Sequence, residues 1–509
     1  MAELTSVFGV NSGFDTAKVV DQLILLQSRP IEINLAKRDA EVEKLNALQD
    51  LKSRLQTFKT TLNTFNTESR FIATQGTFTQ TGTTTTDIAQ ITTTSTATSG
   101  TFTLEVTTLA REAKTASPGF AAISSTVSQG FLELVVGGKT TLIKIDSTND
   151  TVDGVRLAIN NSGVAATANF VDDGDATNPI RLVISGNKTG VANAVSARIF
   201  TAGIGVGEIT TLAFTQTQAA QDAALKLDGI AITKSSNVIS DVISGAILTL
   251  SGTGTGDVKI STDLTEIRQK VTDFVSGFND LNSFVSDQAS FDPDTLETGV
   301  LFGNFAVQNL QNQLRSTATG KVQGTTGQFN FLSQVGITTQ SDGTLVLETS
   351  KLNDALNLDV GNVAELFSSK GAVTNSNVTF IGFTQETEPG TYDIRVSGGQ
   401  AQIRKQGETT FLNAVGSGNF FSGPVGHSSE GLNFRLSSLV DANYGAITVS
   451  IGTGEQINRL ITNLTDTTLN GPLASEIWTK PCLNWMDGWR SSNGTSRSGS
   501  PTSKSFWAD

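Results

Sequence analysis

Few residues of this 509-residue chain have the types and spacing to do chemistry. Two glycine runs, Gly203-Ile204-Gly205-Val206-Gly207 and Gly252-Thr253-Gly254-Thr255-Gly256, have the look of phosphate loops. Neither carries the lysine of a P-loop and neither sits in a strand–helix–strand setting, so both read as tight turns between strands. Asp172-Asp173-Gly174-Asp175 gathers carboxylates that could bind calcium. It lacks the alternating spacing and distal glutamate of an EF-hand loop and reads as an acidic turn. His427 is flanked by Ser428, Ser429 and Glu430. Adjacency in sequence does not build a triad, so His427 reads as a loop residue. It is the only His, and Cys482 the only Cys. One imidazole excludes a two-His metal site, and one thiol excludes an intramolecular disulfide or a Cys-rich zinc site. No catalytic, cofactor-binding or metal-ligating residue is therefore expected. A hydrolase built on paired carboxylates alone stays open, and it would require a deep acidic cleft.

Composition narrows the class further. Hydrophobic residues are 37 % and charged residues 16 % of the chain, against usual values of roughly 45–50 % and 25 %. Thr, Ser, Asn, Gln and 49 Gly fill the difference, the balance of a strand-rich extracellular protein with much surface. The net charge of −13 argues against nucleic acid and acidic membranes as partners, since both need basic patches. The longest early apolar cluster, Leu23-Ile24-Leu25-Leu26, is far too short to span a bilayer, and no cleavable secretory signal is expected.

The elements that would position any site follow from periodicity. Residues 16–70 read as helix. Leu48, Leu51, Leu55, Phe58, Leu62 and Phe65 step 3-4-3-4-3, the seam of a coiled coil. Pro30 predicts a kink or a fresh helix start at Arg29-Pro30-Ile31. Composition then changes abruptly: 14 of the 28 residues from Thr74 to Thr101 are Thr, and β-branched residues favour strands. Residues 76–262 continue as short alternating strands with Gly/Asn/Asp turns, interrupted by one helix from Thr151 to Ile159. Helix returns at Asp263, where Leu264, Ile267, Val271, Phe274, Phe278, Leu281 and Val285 repeat the heptad step. A second helix carries Val307, Leu310 and Leu314. Ser341-Asp342-Gly343-Thr344 signals a hairpin turn, and Ser350 and Asn362 look like helix caps. Residues 376–455 are strand-like again, and Ile457, Leu460, Ile461 and Leu464 mark a last amphipathic helix before Gly471-Pro472. Each heptad stretch has one apolar face that it cannot bury alone. Residues 48–65 and 264–285 are expected to pack in one bundle, and either seam could also serve oligomer or partner-helix packing.

A faint internal repeat links the two β regions. Gly100-Thr101-Phe102-Thr103-Leu104-Glu105-Val106 resembles Gly390-Thr391-Tyr392-Asp393-Ile394-Arg395-Val396. Gly245-Ala246-Ile247-Leu248-Thr249-Leu250, followed by Val258 and Ile260, resembles Gly431-Leu432-Asn433-Phe434-Arg435-Leu436, followed by Ile447 and Val449. Duplication of a β unit and convergent strand chemistry account for these strings about equally well.

The architecture expected is α+β: a long N-terminal heptad helix and a helical bundle, forming a leg or stalk, with inserted antiparallel β head domains. Its divisions are residues 1–75, 76–262, 263–375, 376–455, 456–477 and an atypical tail at 478–509. At this point the chain resembles the flagellar hook-associated protein 2 family. Gly13-Phe14-Asp15, Val19-Val20, Leu23 and Arg29-Pro30-Ile31 before the heptad helix resemble that family's opening. Leu227-Asp228-Gly229-Ile230-Ala231-Ile232-Thr233, Asp241-Val242-Ile243-Ser244-Gly245 and Phe274-Val275-Ser276-Gly277-Phe278-Asn279-Asp280-Leu281 resemble its C-terminal half. So do Val335-Gly336-Ile337-Thr338, Asp342-Gly343-Thr344-Leu345, Leu366-Phe367 and Gly471-Pro472-Leu473-Ala474. The resemblance covers roughly residues 8–476. It implies a non-enzymatic structural protein, exported through the flagellum without a cleaved signal, at the distal filament tip. It further implies a ring of five or six copies that holds emerging flagellin for folding and polymerisation and prevents its leakage. Terminal helices would form legs among filament subunits, β domains a head plate. Self, flagellin, the flagellar export apparatus with its chaperone and, in some bacteria, host mucus are the partners so implied; no cofactor, nucleic acid or membrane is.

The end of the chain departs from that pattern. All four Trp, the only Cys and Met486 fall within the last 32 residues, beside the run Ser491-Ser492-Asn493-Gly494-Thr495-Ser496-Arg497-Ser498-Gly499-Ser500. The family's long final helix is not legible after Glu476-Ile477. Residues 478–509 are therefore expected to be read in a displaced frame or otherwise foreign to the fold, and disordered. An adhesin or tail-fibre-like protein remains an alternative to the cap, since it would share the β head without needing paired terminal helices.

Overall fold

The computed structural model describes residues 16–81, 87–203 and 206–465. The expectation for residues 478–509 lies outside them. One compact unit is residues 73–263, and the segments on either side of it in sequence build the other.

The chain opens with α1 (Thr16–Asn63), a single helix of 48 residues. The fresh start expected at Pro30 is not there; the helix runs through it. Pro30 removes one N–H from the ladder and frees the carbonyl of Leu26. Both residues sit on an exposed stretch, so water can satisfy that carbonyl. The short α2 (Glu68–Phe71) follows.

Strands β1 (Thr74–Gln80), β2 (Ala89–Thr93) and β3 (Gly100–Thr108) begin the unit of residues 73–263. An outer domain comes next: β4 (Glu112–Ala116), β5 (Gly130–Val136), β6 (Lys139–Ile145), α3 (Val152–Asn161), β7 (Ala166–Asp172), β8 (Ile180–Thr189), β9 (Val195–Gly203), β10 (Val206–Ala213) and β11 (Thr215–Gln218). The chain then returns through β12 (Ala223–Leu227), β13 (Ile230–Lys234), β14 (Val238–Ile239), β15 (Ala246–Leu250) and β16 (Gly254–Thr262). The expected helix is α3, with Val152, Val155 and Ile159 buried and the Thr151 hydroxyl accepting from Gly154 N–H at its start. Every ladder pairing among the described residues of the unit is antiparallel. Sheets β1-β16-β3-β12-β13 and β14-β15-β2 share a core that includes Leu104, Val106, Leu248, Val258 and Ile260. The outer sheets, β10-β9-β5-β6 and β11-β4-β8-β7, close over Leu132, Leu134, Ile184, Ile199 and α3. Two-residue alternation of burial, as in β16, is what lets each strand serve one core and one wet face.

Helices α4 (Leu264–Gln288), α5 (Phe305–Thr319), α6 (Thr349–Leu358) and α7 (Val360–Phe367) follow. Between α5 and α6 the hairpin β17 (Ile337–Thr339) and β18 (Leu345–Leu347) turns at Gly343, φ +84°, where Asp342 Oδ1 accepts from Thr344 N–H. The caps differ from expectation. Glu348 and Asp359, not Ser350 and Asn362, are the N-cap residues of α6 and α7, and the Asp359 carboxylate accepts from Asn362 N–H. At α7 the cap bonds the N–H three positions ahead of it, so Asn362 is the cap's partner; at α6 Glu348 makes no such bond and Ser350 lies within the first turn.

The second β region comprises β19 (Ser369–Val373), β20 (Val378–Gly382), β21 (Gly390–Ser397), β22 (Gln400–Lys405), β23 (Leu412–Asn413), β24 (Val415–Ser417), β25 (Phe420–Ser422), β26 (Asn433–Leu436) and β27 (Ala442–Ile451). Its sheets, β19-β27-β21-β22-β23 and β20-β26-β25-β24, enclose a core that includes Tyr392, Ile394, Phe434, Ile447 and Val449. Helix α8 (Thr453–Thr465) closes the described chain, with Ile457, Ile461 and Leu464 buried.

Candidate functional site: the helical seam and the exposed half of α1

The residues singled out on α1 and α4 meet in one aromatic core. Leu48, Leu51, Leu55, Phe58 and Leu62 on α1, and Phe65 just past its end, are all buried. So are Ile267, Val271, Phe274, Phe278 and Leu281 on α4, while Leu264, the first residue of that helix, is half-buried. The Phe58 and Phe274 ring centroids lie 6.1 Å apart, and those of Phe65 and Phe274 6.3 Å, edge to face. Phe367, at the end of α7, packs edge-on to Phe274 at 5.5 Å and stacks on Phe71 of α2 at 5.3 Å. Such offset and edge-to-face pairs add to what burial of the rings already contributes. Gly277 makes the α1–α4 approach possible: a Cβ there would lie 2.6 Å from Phe58 Cδ2. Lys270, on the same helix, donates to the Arg70 carbonyl at 2.7 Å.

Two charged groups that periodicity could not flag complete this unit. Glu365 is buried on α7. It accepts from Thr326 N–H at 2.9 Å, the Thr326 hydroxyl at 2.8 Å and Gly327 N–H at 3.2 Å, and lies 3.3 Å from Lys370 Nζ. Partial burial opposes the Lys370 charge, but Glu68 and Glu365 outweigh it and raise the pKa above the ordinary lysine value. Arg459 on α8 donates to the carbonyls of Thr384, Gln385 and Thr387 at 3.0, 3.0 and 2.8 Å, and pairs with Glu455. It ties α8 to the loop between β20 and β21.

The other half of α1 is the reverse of the seam. Val20, Leu23, Ile24, Leu25, Leu26, Ile31 and Ile33 are all exposed, Leu25 and Leu26 by 66 % and 67 %. Leu23, Ile24, Leu25 and Leu26 fall on consecutive positions and so on more than one side of the helix. A helix apolar on several sides is one that other molecules or segments surround.

The chemical candidates resolve into structure. Asp172, Asp173 and Asp175 each accept backbone N–H groups of their own loop, and Asp173 also pairs with Arg181. Among the described residues no group of three or more His, Cys, Asp or Glu could hold a metal ion. Of the run 252–256 only Gly252-Thr253 precede β16, while Gly254-Thr255-Gly256 are already paired strand rather than turn; the run 203–207 includes two residues outside those described. His427 does acquire partners: Nε2 lies 2.9 Å from Glu408 Oε2 and Nδ1 2.7 Å from Ser429 Oγ. Sequence reasoning missed Glu408, 19 positions away. Nδ1 also accepts from Ser429 N–H at 3.2 Å, which assigns the remaining ring proton to Nε2. Ser429 is 0 % exposed, so its hydroxyl meets no substrate; the arrangement fastens a loop.

Comparison with known proteins fits this architecture. Residues 12–113 match the family described as flagellar hook-associated protein 2 N-terminus, and residues 220–468 that described as flagellar hook-associated protein 2 C-terminus. The B-type flagellar hook-associated protein 2 of Pseudomonas aeruginosa PAO1 is 30 % identical over 302 residues, 54 % of this chain and 63 % of that protein. The flagellar hook-associated protein 2 of Escherichia coli K12 is 29 % identical over 402 residues, 74 % of this chain and 83 % of that one. The crystal structure of the flagellar cap protein FliD D1-D2-D3 domains from Escherichia coli shares the fold. Its TM-score is 0.56 at 22 % identity, with 85 % of this chain and 99 % of that one covered. A seam-bearing long helix, β units inserted between helices and two family halves matched in order lead to one assignment: the chain belongs to the flagellar hook-associated protein 2 family.

Proposed function

We propose that this chain is a structural cap protein at the distal end of the bacterial flagellar filament. It forms a ring of identical copies, holds emerging flagellin where it can fold and polymerise, and keeps it from leaking away. The observation that carries the reading is the division of α1. Its second half is consumed by the bundle, whereas residues 19–33 expose seven or more large apolar side chains to whatever surrounds them. Burial of each would contribute about 1.5–3 kcal/mol, enough for a leg seated among filament subunits. The seam of Leu48, Leu51, Leu55, Phe58, Leu62 and Phe65 with Leu264, Ile267, Val271, Phe274, Phe278 and Leu281 stiffens the stalk above that leg. Family membership supports export to the filament tip, and no helix among the described residues is long and apolar enough to cross a membrane.

Deletion of the gene tests the reading. The deletion strain should release unpolymerised flagellin into the medium and carry short filaments or none. The Leu25→Ser/Leu26→Ser variant should do the same although it folds, because both side chains already face solvent in the free chain. Full-length filaments and flagellin-free medium in the deletion strain would refute the cap; a chain acting only as an adhesin would give that result.

A further inference from the structure

Two β units of the chain are built on one plan. Leave the outer domain β4–β11 aside and count strands along the first unit. The order across its larger sheet is first, last, third, fourth, fifth: β1-β16-β3-β12-β13. In residues 369–451 it is again first, last, third, fourth, fifth: β19-β27-β21-β22-β23. In the smaller sheets the second strand pairs with the penultimate one, β2 with β15 and β20 with β26; the second unit has one extra strand.

Register agrees as well. Phe102 faces Val258 and Gly100 faces Ile260; Tyr392 faces Ile447 and Gly390 faces Val449. On the other side of the last strand, Gly76 faces Ile260 and Gly371 faces Val449. Both of these first-strand glycines admit a large side chain from the second strand. A Cβ on Gly76 would lie 2.3 Å from Ile91 Cγ2, and one on Gly371 2.5 Å from the Phe380 ring. Ile91 and Phe380 hold equivalent places, opposite Leu248 and Phe434. The glycine that leads into the penultimate strand, Gly245 or Gly431, has φ +74° in both. Short strings of Gly, Thr and an aromatic recur by chance. Strand order, register and the two close glycine approaches are separate constraints, and a one-residue slip would destroy the last two.

We infer that residues 369–451 are a second copy of the β unit formed by residues 74–109 and 222–262. In that alignment the β21–β22 hairpin is the port at which the first copy carries its outer domain. In the first copy β3 and β12 pair as hairpin arms, Val106 with Leu225 and Thr108 with Ala224, yet residues 110–221 leave and return between them. In the second copy Ser397 pairs with Gln400 and only Gly398-Gly399 lie between, at φ +62° and +71°. Their N–H groups donate to the Asp441 carboxylate at 2.8 and 2.9 Å. The second unit is thus a carrier with the same attachment point as the first, closed by a two-glycine turn. The inference rests on strand order, register and the glycine approaches, and stands or falls separately from the cap reading.

Transplantation within the full chain tests it. In one variant Gly-Gly replaces residues 110–221. In a second, the excised segment is also grafted between Ser397 and Gln400. Hydrogen exchange reads each sheet. The amides of Leu104 and Val106 in the first variant, and those of Ile394 and Val396 in the second, should stay within about threefold of their original rates. The grafted domain should keep Leu132, Leu134 and Ile184 protected. Loss of protection in β3 on closure, or in β21 on grafting, would overturn the inference. So would a graft that leaves the outer domain unprotected although the same segment is protected at its original position.

Discussion

The contact between Gly277 and Phe58 makes a prediction whose sign depends on the background. Gly277→Ala adds a methyl group 2.6 Å from Phe58 Cδ2, inside any normal contact distance. Phe58 is only 2 % exposed and packs on Phe274, so its ring cannot swing away. Overpacking of this kind costs about 1–3 kcal/mol. Alanine in a helix interior returns about 1 kcal/mol relative to glycine. Gly277→Ala alone should therefore destabilise the bundle by about 0–2 kcal/mol. Phe58→Ala alone removes a buried ring and should cost about 3–5 kcal/mol. In the Phe58→Ala background the clash is gone, so Gly277→Ala should stabilise by about 1 kcal/mol from propensity, with some cavity filled besides. The double-mutant cycle should thus show a coupling of about 1–3 kcal/mol. Urea unfolding followed by circular dichroism at the helical band measures the four stabilities, and exchange of the α4 amides localises the change. Equal effects of Gly277→Ala in both backgrounds would refute the packing argument. Phe305→Ala is the control: its side chain is 74 % exposed and its loss should change little.

Other outcomes follow from buried or hydrogen-bonded charge. Glu365→Gln leaves the size of the side chain but weakens its hold on Thr326 and Gly327 and leaves Lys370 with Glu68 alone; a loss of about 1–3 kcal/mol is expected in thermal unfolding. Asp146 is held down to about 2, first by the Thr148 hydroxyl and then by Thr148 N–H and Lys144. Its folded pKa lies below its unfolded one, so its contribution is present above the unfolded value and fades as pH falls from about 4 toward 2. Acid titration of unfolding temperature should show that loss, and Asp146→Asn should flatten it. Burial pushes the Tyr392 hydroxyl up to about 12, and the Glu388 and Ser428 carbonyls to which it donates favour the same protonated form. A folded pKa raised in this way means stability falls as pH passes upward through the unfolded value near 10. Ultraviolet titration of native protein should find one of the two tyrosines ionising only near 12, and Tyr392→Phe should abolish that late phase.

Much of the helical framework was legible because its signals are local. A 3-4 apolar step identifies one face of a helix whatever that face later meets, which is why Leu48–Phe65 and Ile267–Leu281 could be matched as partners about 200 residues apart. Asp342-Gly343 carries its own turn chemistry, and the Thr-rich composition of residues 74–101 already implied strands. What the chain alone left open was every choice that depends on a distant residue. Phe71 and Phe367 enter the aromatic core from short helices with no seam of their own. Glu365 looks like an ordinary surface glutamate until Thr326 and Gly327 approach it, and Glu408 lies 19 positions from the imidazole it meets. Pro30 predicts a kink or a fresh helix start by its missing N–H; an exposed turn lets water take the freed carbonyl, so there is no fresh start and the helix continues. The repeated strings were ambiguous for the same reason: strand order and register exist only between segments. Gly100 facing Ile260 and Gly390 facing Val449 became comparable only once the last strand of each unit had returned beside the third. Periodicity is a property of one segment, whereas pairing is a property of two, and only the folded chain specifies which two.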